Sequence, residues 1–365
     1  MALLGHSGSQ APQLMHSSVI LIAMSAFVLL HKDTVPLMDS RLQTLENLGA
    51  ELRALALQDE LLARTSAKNA WFTPEFSRTA LLAWAEALRP DALTTWASTY
   101  GSSPSACPKT VGVLCAGNLP LVGLHDLLMG YLAGWKVVYK ASSDDSVLLP
   151  AVVEALLKLD PQASIVPVER LTHIDALLAT GSTNTLRYFA HYFAQVPHVL
   201  RGSRTSVAVL NGAETEADLE ALAADIFQYF GRGCRSITHL FLPETFDVQR
   251  LFASWLPWGH LAQHAKYGSN YDYHRALFML NKEPFLENNF VLLREHAALK
   301  PPVGVIHYTR YAELSEVEER LAQEADQIQV QLGTDRTLSF GHGQTPELWD
   351  FADGIDTYTF LTENA

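Results

Sequence analysis

Cysteine is scarce in this 365-residue chain: Cys107, Cys115 and Cys234 are the only three, and they do not have the spacing of a metal-ligand motif. An odd, unpatterned set of thiols argues against a disulfide framework or a zinc site and fits a reducing compartment, so we expect a cytoplasmic protein without a structural metal. Positive charge is also scarce, with 26 Lys and Arg against 39 Asp and Glu and a formal net charge of −13. The absence of a basic tract argues against a nucleic-acid surface, but a few local cations are enough to bind a phosphate-bearing small molecule.

The chain also lacks an apolar run long enough for a comfortable membrane span. Residues 18–30 are mainly apolar (SVILIAMSAFVLL), whereas a spanning helix needs about 20 such residues. No Lys or Arg precedes this run and no small-x-small cleavage site follows it, which disfavours a secretory signal. Because Met24 and Met38 are alternative starts, we interpret residues 1–37 as an N-terminal extension, a tag or a start-site artefact. We expect no stable membrane span.

What the chain does contain is an alternation of strand-like and helix-like segments. Strands are predicted at residues 110–115, 136–139, 164–168 and 176–179, with helices at 121–133 and 147–159 between them. This order predicts an α/β fold with a parallel, doubly wound sheet, and the chain length suits two domains rather than one. Ligands in such sheets bind at the carboxyl ends of the strands. Asn118, Lys140 and Ser182 each come just after a predicted strand, so we expect them at one binding edge.

Further elements are predicted on both sides of this region. Amphipathic helices are expected from Arg41 to Leu57 and from Pro74 to Leu88, the second with Thr73 as its N-cap. Downstream, the pattern predicts helices at 216–230 and 312–329 and strands at 207–210, 237–242, 290–293 and 303–308.

The stretch Gly231-Arg232-Gly233-Cys234-Arg235-Ser236 lies between a predicted helix and a predicted strand. Two glycines allow a tight turn and close approach to a ligand. Flanking arginines favour the thiolate of Cys234, which is the nucleophilic form used in acyl transfer. The alternative is a small buried cysteine, since free cysteine is among the most buried residue types.

Four motifs in a fixed order carry a family resemblance. They are Gly117-Asn118-Leu119-Pro120, Lys140-Ala141-Ser142, Thr180-Gly181-Ser182-Thr183 and Gly231-x-Gly-Cys234. The chain resembles the aldehyde dehydrogenase superfamily and, within it, more closely the fatty-acyl-CoA reductase family that includes the reductase subunit of bacterial bioluminescence. The stretches NLPLVGLHD, ATGSTNTLRYF, RTSVAVL, DIFQYFGRGCRS and LWDFADGIDT are similar to that family, and the resemblance runs from about Met38 to the C-terminus.

The resemblance implies an aldehyde dehydrogenase-like fold, with a Rossmann-type parallel-sheet domain for a nicotinamide cofactor and a second α/β catalytic domain. We expect the cofactor domain at residues 38–199, the catalytic thiol domain at 200–335 and a C-terminal segment, 336–365, that returns to the core. The resemblance also implies that Cys234 attacks a thioester carbonyl to give an acyl-cysteine. Asn118, with the Cys234 backbone N–H, would hydrogen-bond the developing oxyanion, a role worth about 3 kcal/mol per donor. On its own, Asn118 also fits a simple Asn-x-Pro turn.

The same resemblance assigns the cofactor-binding residues. Lys140 would reach the adenosine ribose or its 2′-phosphate, and Ser142 and Ser143 follow it. Ser143 stands where NAD-preferring relatives often carry a glutamate, and its hydroxyl suits a 2′-phosphate, so we predict NADPH as the cofactor. Residues Thr180, Gly181, Ser182 and Thr183 would present a helix N-terminus to the pyrophosphate, although Ser or Thr at this place also serves as a plain N-cap.

Hydrolytic aldehyde dehydrogenases carry a glutamate base that releases the acyl group to water, and the matching residues here, 199–207, contain no acid. This absence favours reduction of an acyl-CoA or other acyl-thioester donor to a fatty aldehyde. Arg201 and Arg204 in this segment are candidates for holding phosphates, or are exposed arginines without a role. An acid-forming NAD(P)-dependent aldehyde dehydrogenase and an acyl-transfer partner subunit that uses no nicotinamide remain as alternatives. A homodimer or a complex with an acyl-donating enzyme is left open.

Overall fold

The computed structural model describes residues 37–100 and 109–365. The interpretation of residues 1–36 and the position of Cys107 lie outside these ranges. The helices are α1 Leu37–Leu55, α2 Asp59–Lys68, α3 Pro74–Ala87, α4 Pro90–Thr99, α5 Leu124–Leu132, α6 Leu148–Leu159, α7 Thr183–Tyr192, α8 Glu216–Phe227, α9 Gln249–Trp255, α10 Ala265–Asn281, α11 Leu314–Gln323 and α12 Thr357–Glu363.

The first sheet contains strands β1 Thr110–Leu114, β2 Lys136–Lys140, β3 Ile165–Pro167, β4 Ala176–Thr180 and β5 His198–Arg201. Their order is β3-β2-β1-β4-β5, and every neighbouring pair is parallel. The predicted parallel sheet is therefore confirmed. Because β1 lies between β2 and β4, the carboxyl ends of these three strands are neighbours, as expected for a common binding edge.

The second sheet contains β6 Thr205–Val209, β7 Ile237–Pro243, β8 Leu286–Glu287, β9 Leu292–Glu295, β10 Val305–Tyr311 and β11 Ile328–Leu332. The order is β11-β6-β7-β10-β9-β8, and only the β8–β9 pair is antiparallel. The predicted helix at 312–329 is wrong at its end. The helix stops at Gln323, and Ile328 begins a strand because it pairs with Thr205 of β6.

The chain passes from the first sheet to the second between β5 and β6, so the predicted boundary at residues 199 and 200 falls inside a strand of the first sheet. The C-terminal helix α12 packs on α5, which belongs to the first sheet's layer of helices. Two hydrogen bonds secure it there: Trp135 donates from Nε1 to the Leu361 carbonyl at 3.2 Å, and Lys109 donates from Nζ to the Asn364 carbonyl at 2.7 Å.

The N-terminal helices form a separate layer, in which α1 packs against α3 and α6. The predicted cap of α3 is confirmed: the Thr73 hydroxyl accepts from Phe76 N at 3.1 Å, and Pro74 opens the helix. Within the described residues no helix is both long enough and apolar enough to span a bilayer.

Candidate active site

The turn after β1 is held by a buried carboxylate. Asp145 accepts from Leu121 N at 2.8 Å through one oxygen and from Leu149 N at 3.1 Å through the other. A Cβ at Gly117 would lie 2.3 Å from Ser142 Oγ, so the turn rests directly on the loop after β2 and only glycine fits. These contacts set the position of Asn118, which is exposed at the carboxyl edge of the sheet.

The turn that carries Cys234 has an unusual backbone. Helix α8 ends at Phe227, three residues earlier than the sequence pattern predicts, and Tyr229, Phe230 and Gly231 all have positive φ, at 54°, 60° and 68°. Left-handed backbone is rare and costly for aromatic residues, and it occurs mainly where the surrounding structure holds it for function. These residues lead into the turn that carries Cys234, which is exposed between α8 and β7.

Asn118 and the cysteine turn meet across the two sheets. The Asn118 amide donates from Nδ2 to the Arg232 carbonyl at 3.2 Å. Because Arg232 is two residues before Cys234, this hydrogen bond places the carboxamide beside the cysteine turn. Asn118 and Cys234, which are 116 positions apart in the chain, are thus brought to one site.

The electrostatics of Cys234 depend on burial as well as on the neighbouring charges. Desolvation raises the pKa of its thiol; Arg235 opposes this shift, and Asp353 adds to it. Arg232 lies over the ring of Trp71, 4.4 Å from its centroid. Arg235 thus favours the thiolate, as the sequence predicts, but desolvation outweighs its charge, so the pKa of the Cys234 thiol remains raised.

A second carboxylate, which the sequence reasoning missed, lies behind the cysteine turn. Asp225, near the end of α8, is fully buried and accepts from Gly341 N at 2.6 Å and from Gly343 N at 2.8 Å. Gln344 donates to the Asp225 carbonyl at 3.1 Å and to Ser236 Oγ at 3.2 Å. Nothing in the local pattern distinguishes Asp225 from other helical aspartates; its partners are more than a hundred residues away.

The residues predicted to bind the cofactor lie along the carboxyl edge of the first sheet. Lys140 ends β2 with its side chain exposed, and Ser143 is exposed in the following turn. Ser142 caps that turn by accepting from Asp144 N at 3.2 Å. Ser142 therefore has a structural role in addition to any contact with a ligand.

At the end of β4, Thr180 and Gly181 lead into α7, which begins at Thr183. The Ser182 hydroxyl accepts from Thr185 N at 3.3 Å and contacts Thr185 Oγ1 at 2.9 Å. Ser182 is thus the N-cap of α7, and the helix N-terminus lies at the carboxyl edge of the first sheet.

Arg201 and Arg204, which the sequence offered as phosphate ligands or as exposed arginines without a role, both pair with carboxylates of the chain. Arg201 is buried, and its Nη1 donates at 2.8 Å to both carboxylate oxygens of Asp126. Arg204 pairs with Asp353 at 3.1 Å. Both guanidinium groups are therefore neutralised by carboxylates of the chain itself.

The candidate histidines are held by structural hydrogen bonds. Ring nitrogens of His125, His198 and His342 contact the carbonyls of Leu348, Val196 and Phe340, respectively. His264 caps α10 and packs against Phe230, with ring centroids 4.4 Å apart and the rings tilted by 35°. Phe230 also contacts Trp71, Phe76 and Tyr267. The start of the polar-aromatic segment 264–275 thus forms an aromatic wall behind the cysteine turn.

Within residues 37–100 and 109–365, no group of three or more His, Cys, Asp or Glu side chains is arranged to hold a metal. The chemical groups at the site are the thiol of Cys234, the amide N–H of Asn118 and the carboxyl edge of the first sheet, a kind of edge at which dinucleotides bind.

Comparisons with known proteins give the family and the fold. A family model described as acyl-CoA reductase (LuxC) matches residues 38–256. No curated protein matches the sequence.

Solved structures show the same fold at low identity. An aldehyde dehydrogenase of Mycobacterium tuberculosis, solved with NAD+, is 15% identical with a TM-score of 0.59, and the match covers 83% of this chain and 74% of that one. An NADP-dependent glyceraldehyde-3-phosphate dehydrogenase of Bacillus halodurans C-125, solved with NADP, is 15% identical with a TM-score of 0.60, covering 82% and 74%. A bifunctional proline utilization A protein is 16% identical with a TM-score of 0.60; 91% of this chain matches only 39% of that protein. The fold is that of the aldehyde dehydrogenases, as predicted.

Proposed function

The chain belongs to the acyl-CoA reductase (LuxC) family, and we propose that it reduces an acyl thioester to a fatty aldehyde through an acyl-Cys234 intermediate, with NADPH as the reductant. The observation that carries this proposal is the placement of Asn118 beside the turn of an exposed Cys234, at the edge of a dinucleotide-type sheet. A division into a cofactor domain, a catalytic thiol domain and a C-terminal segment that returns to the first is part of the same proposal.

Cys234 first takes the acyl group from its carrier. Its sulfur forms a bond to the thioester carbonyl carbon, the carbon–sulfur bond to the carrier breaks, and the carrier leaves as a thiol after taking a proton. Because desolvation raises the pKa of the Cys234 thiol, the thiol must lose its proton as the donor binds. Arg235, which lowers that pKa, favours this loss.

Asn118 supports both steps at the carbonyl oxygen. Its Nδ2 already points at the cysteine turn, where it donates to the Arg232 carbonyl. A small rotation of the amide would let Nδ2 and the Cys234 backbone N–H donate to an oxyanion together. One such donor contributes about 3 kcal/mol to the transition state.

The cofactor edge fits a phosphorylated dinucleotide. Gly117 leaves no side chain between the turn and the Ser142 loop, Lys140 and Ser143 are exposed beside it, and the capped start of α7 lies one strand away. NADPH bound here would supply the hydride that goes to the acyl carbon. Cys234 would then leave as a thiolate while the aldehyde carbonyl forms.

The absence of a carboxylate in residues 199–207 supports reduction over hydrolysis. This segment contains two candidate phosphate ligands, Arg201 and Arg204. They form ion pairs with Asp126 and Asp353, respectively. Neither provides a base for water, so the acyl-cysteine would persist until reduced.

The proposal is tested by following NADPH oxidation with a long-chain acyl-CoA and trapping the aldehyde. Cys234→Ser should abolish acyl-dependent oxidation. Cys115→Ala is the matched control, because Cys115 is buried against Gly123 and should leave turnover intact. If labelled acyl loads onto Cys234 but NADPH is not consumed, the chain is an acyl-transfer subunit and the cofactor assignments fail. Formation of fatty acid instead of aldehyde would identify an acid-forming dehydrogenase.

A further inference from the structure

Asp225 is a buried carboxylate in an unfavourable place. It lies in the last turn of α8, where the helix dipole is negative, and its side chain is shielded from water. Burial raises its pKa to about 6, although the N–H groups of Gly341 and Gly343 act in the opposite direction. Burying a carboxylate costs desolvation free energy, so a buried carboxylate is expected to have hydrogen bonds that organise the structure around it.

The partners of Asp225 connect three segments around the nucleophile. The first is the turn of residues 341–344, whose two glycine N–H groups donate to the carboxylate. The second is the end of α8 itself. The third is the cysteine turn, because Gln344 donates to both the Asp225 carbonyl and Ser236 Oγ.

The link continues directly to Cys234. Ser236 Oγ, which accepts from Gln344, also accepts from Gly233 N at 3.1 Å. From the other side, Arg235 donates from Nε to the Gly343 carbonyl at 2.5 Å. The residues on both sides of Cys234 are therefore tied to the 341–344 turn, and Asp225 holds that turn by two backbone hydrogen bonds.

We propose that Asp225 is a positioning residue for Cys234: it fixes the 341–344 turn and, through Gln344 and Ser236, the orientation of the nucleophile turn. This inference rests on the proposed function of Cys234 as the acyl-accepting thiol. Protonation of Asp225 would replace charge-assisted hydrogen bonds by weaker ones and loosen the 341–344 turn locally, although relief from desolvation makes the fold as a whole more stable with a neutral carboxyl. The charged and titratable groups that face it are His342 on the 341–344 turn and Arg235 on the cysteine turn, and both favour its ionised form.

The test uses two variants that disturb the same contact in different ways. Asp225→Asn removes one acceptor and directs an amide N–H at a glycine N–H. Gly343→Ala leaves the carboxylate but adds a Cβ that would lie 2.9 Å from Asp225 Oδ1. The matched control is Asp218→Asn, at the other end of α8, where Asp218 forms the capping box with Thr215 far from the thiol.

Two measurements are made on the full chain. The first is acyl-CoA-dependent NADPH oxidation, in which both variants should lower kcat about 10- to 100-fold with little change in KM, as expected when a reacting group is misplaced. The second is the rate of Cys234 alkylation by iodoacetamide from pH 5 to 8. The wild type and Asp218→Asn should show an inflection near the Asp225 pKa of about 6, in addition to the steady rise from thiol ionisation, and Asp225→Asn should lack it.

The inference is overturned if Asp225→Asn keeps the wild-type kcat and the inflection, or if Asp218→Asn loses both to the same extent. Should Asp225→Asn fail to fold, Gly343→Ala decides: an unchanged kcat and alkylation profile would contradict the positioning role. If the wild type does not oxidise NADPH with acyl-CoA, the proposed function fails, while the alkylation profile still tests the positioning of Cys234.

Discussion

Replacement of Asp126 by Asn tests whether Arg201 has a structural role rather than a role in phosphate binding. Arg201 lies at the end of β5 and Asp126 on α5, and their side chains are only 4% and 8% exposed. Arg201 also donates from Nη2 to Thr357 Oγ1 at 2.5 Å, which ties α12 to the first sheet. The substitution leaves the shape almost unchanged but removes the negative charge.

The expected loss is large because a buried guanidinium would be left without its counter-ion. Breaking a buried ion pair by removing one partner costs about 3–5 kcal/mol. The Arg201 Nε atom already lacks a hydrogen-bond partner, so the guanidinium has no spare contact to compensate. Replacing both partners, as in Asp126→Leu with Arg201→Met, should cost less than half as much, since no buried charge remains.

The assay is urea unfolding followed by tryptophan fluorescence, together with the KM for acyl-CoA. Glu154→Gln is the matched control, because it breaks the fully exposed Glu154–Lys158 pair and should leave the unfolding midpoint unchanged. A loss below about 1 kcal/mol for Asp126→Asn would show that the pair is solvated or replaceable. If Arg201→Met instead raises the KM for acyl-CoA without lowering stability, Arg201 binds a phosphate and our interpretation is wrong.

Three further predictions concern the site. Asn118→Ala should lower kcat for acyl reduction about 10²- to 10³-fold, measured by steady-state kinetics, because one oxyanion donor is lost; a change confined to KM would contradict that role. Ser143→Glu should raise the KM for NADPH at least about tenfold through repulsion of the 2′-phosphate, and an unchanged preference for NADPH over NADH would place that phosphate elsewhere. The third concerns pH and stability: the pKa of Asp225 is raised from 3.8 to about 6 in the folded state, so its contribution to stability is complete below 3.8 and is lost as pH rises through about 6. The wild type should therefore lose about 2 kcal/mol from this group between pH 4 and pH 7 relative to Asp225→Asn, and an equal pH dependence of the unfolding free energy in the two proteins would refute this.

Local patterns were sufficient to predict the framework of the first sheet. Periodicity placed β1, β2 and β4, and because parallel strands end at one edge, chain order alone placed Asn118, Lys140 and Ser182 on that edge. The Thr73 cap could also be predicted, because a cap depends on neighbouring residues. The strand at residues 328–332 could not: five residues that follow an amphipathic helix carry too little signal, and only pairing with β6 determines their conformation.

Motifs taken in chain order were enough to predict the fold class and the family, which are confirmed, and to name Cys234 as a candidate nucleophile. The electrostatics of the site and the contacts that support it depend on packing between distant segments. The charges beside Cys234 are visible in the sequence, but the desolvation that raises its pKa depends on packing. The Asp225 contacts span 116 and 118 residues and the Arg201–Asp126 pair spans 75, so no local pattern contains them. Separations of this length are closed only when the two sheets and the C-terminal segment pack together.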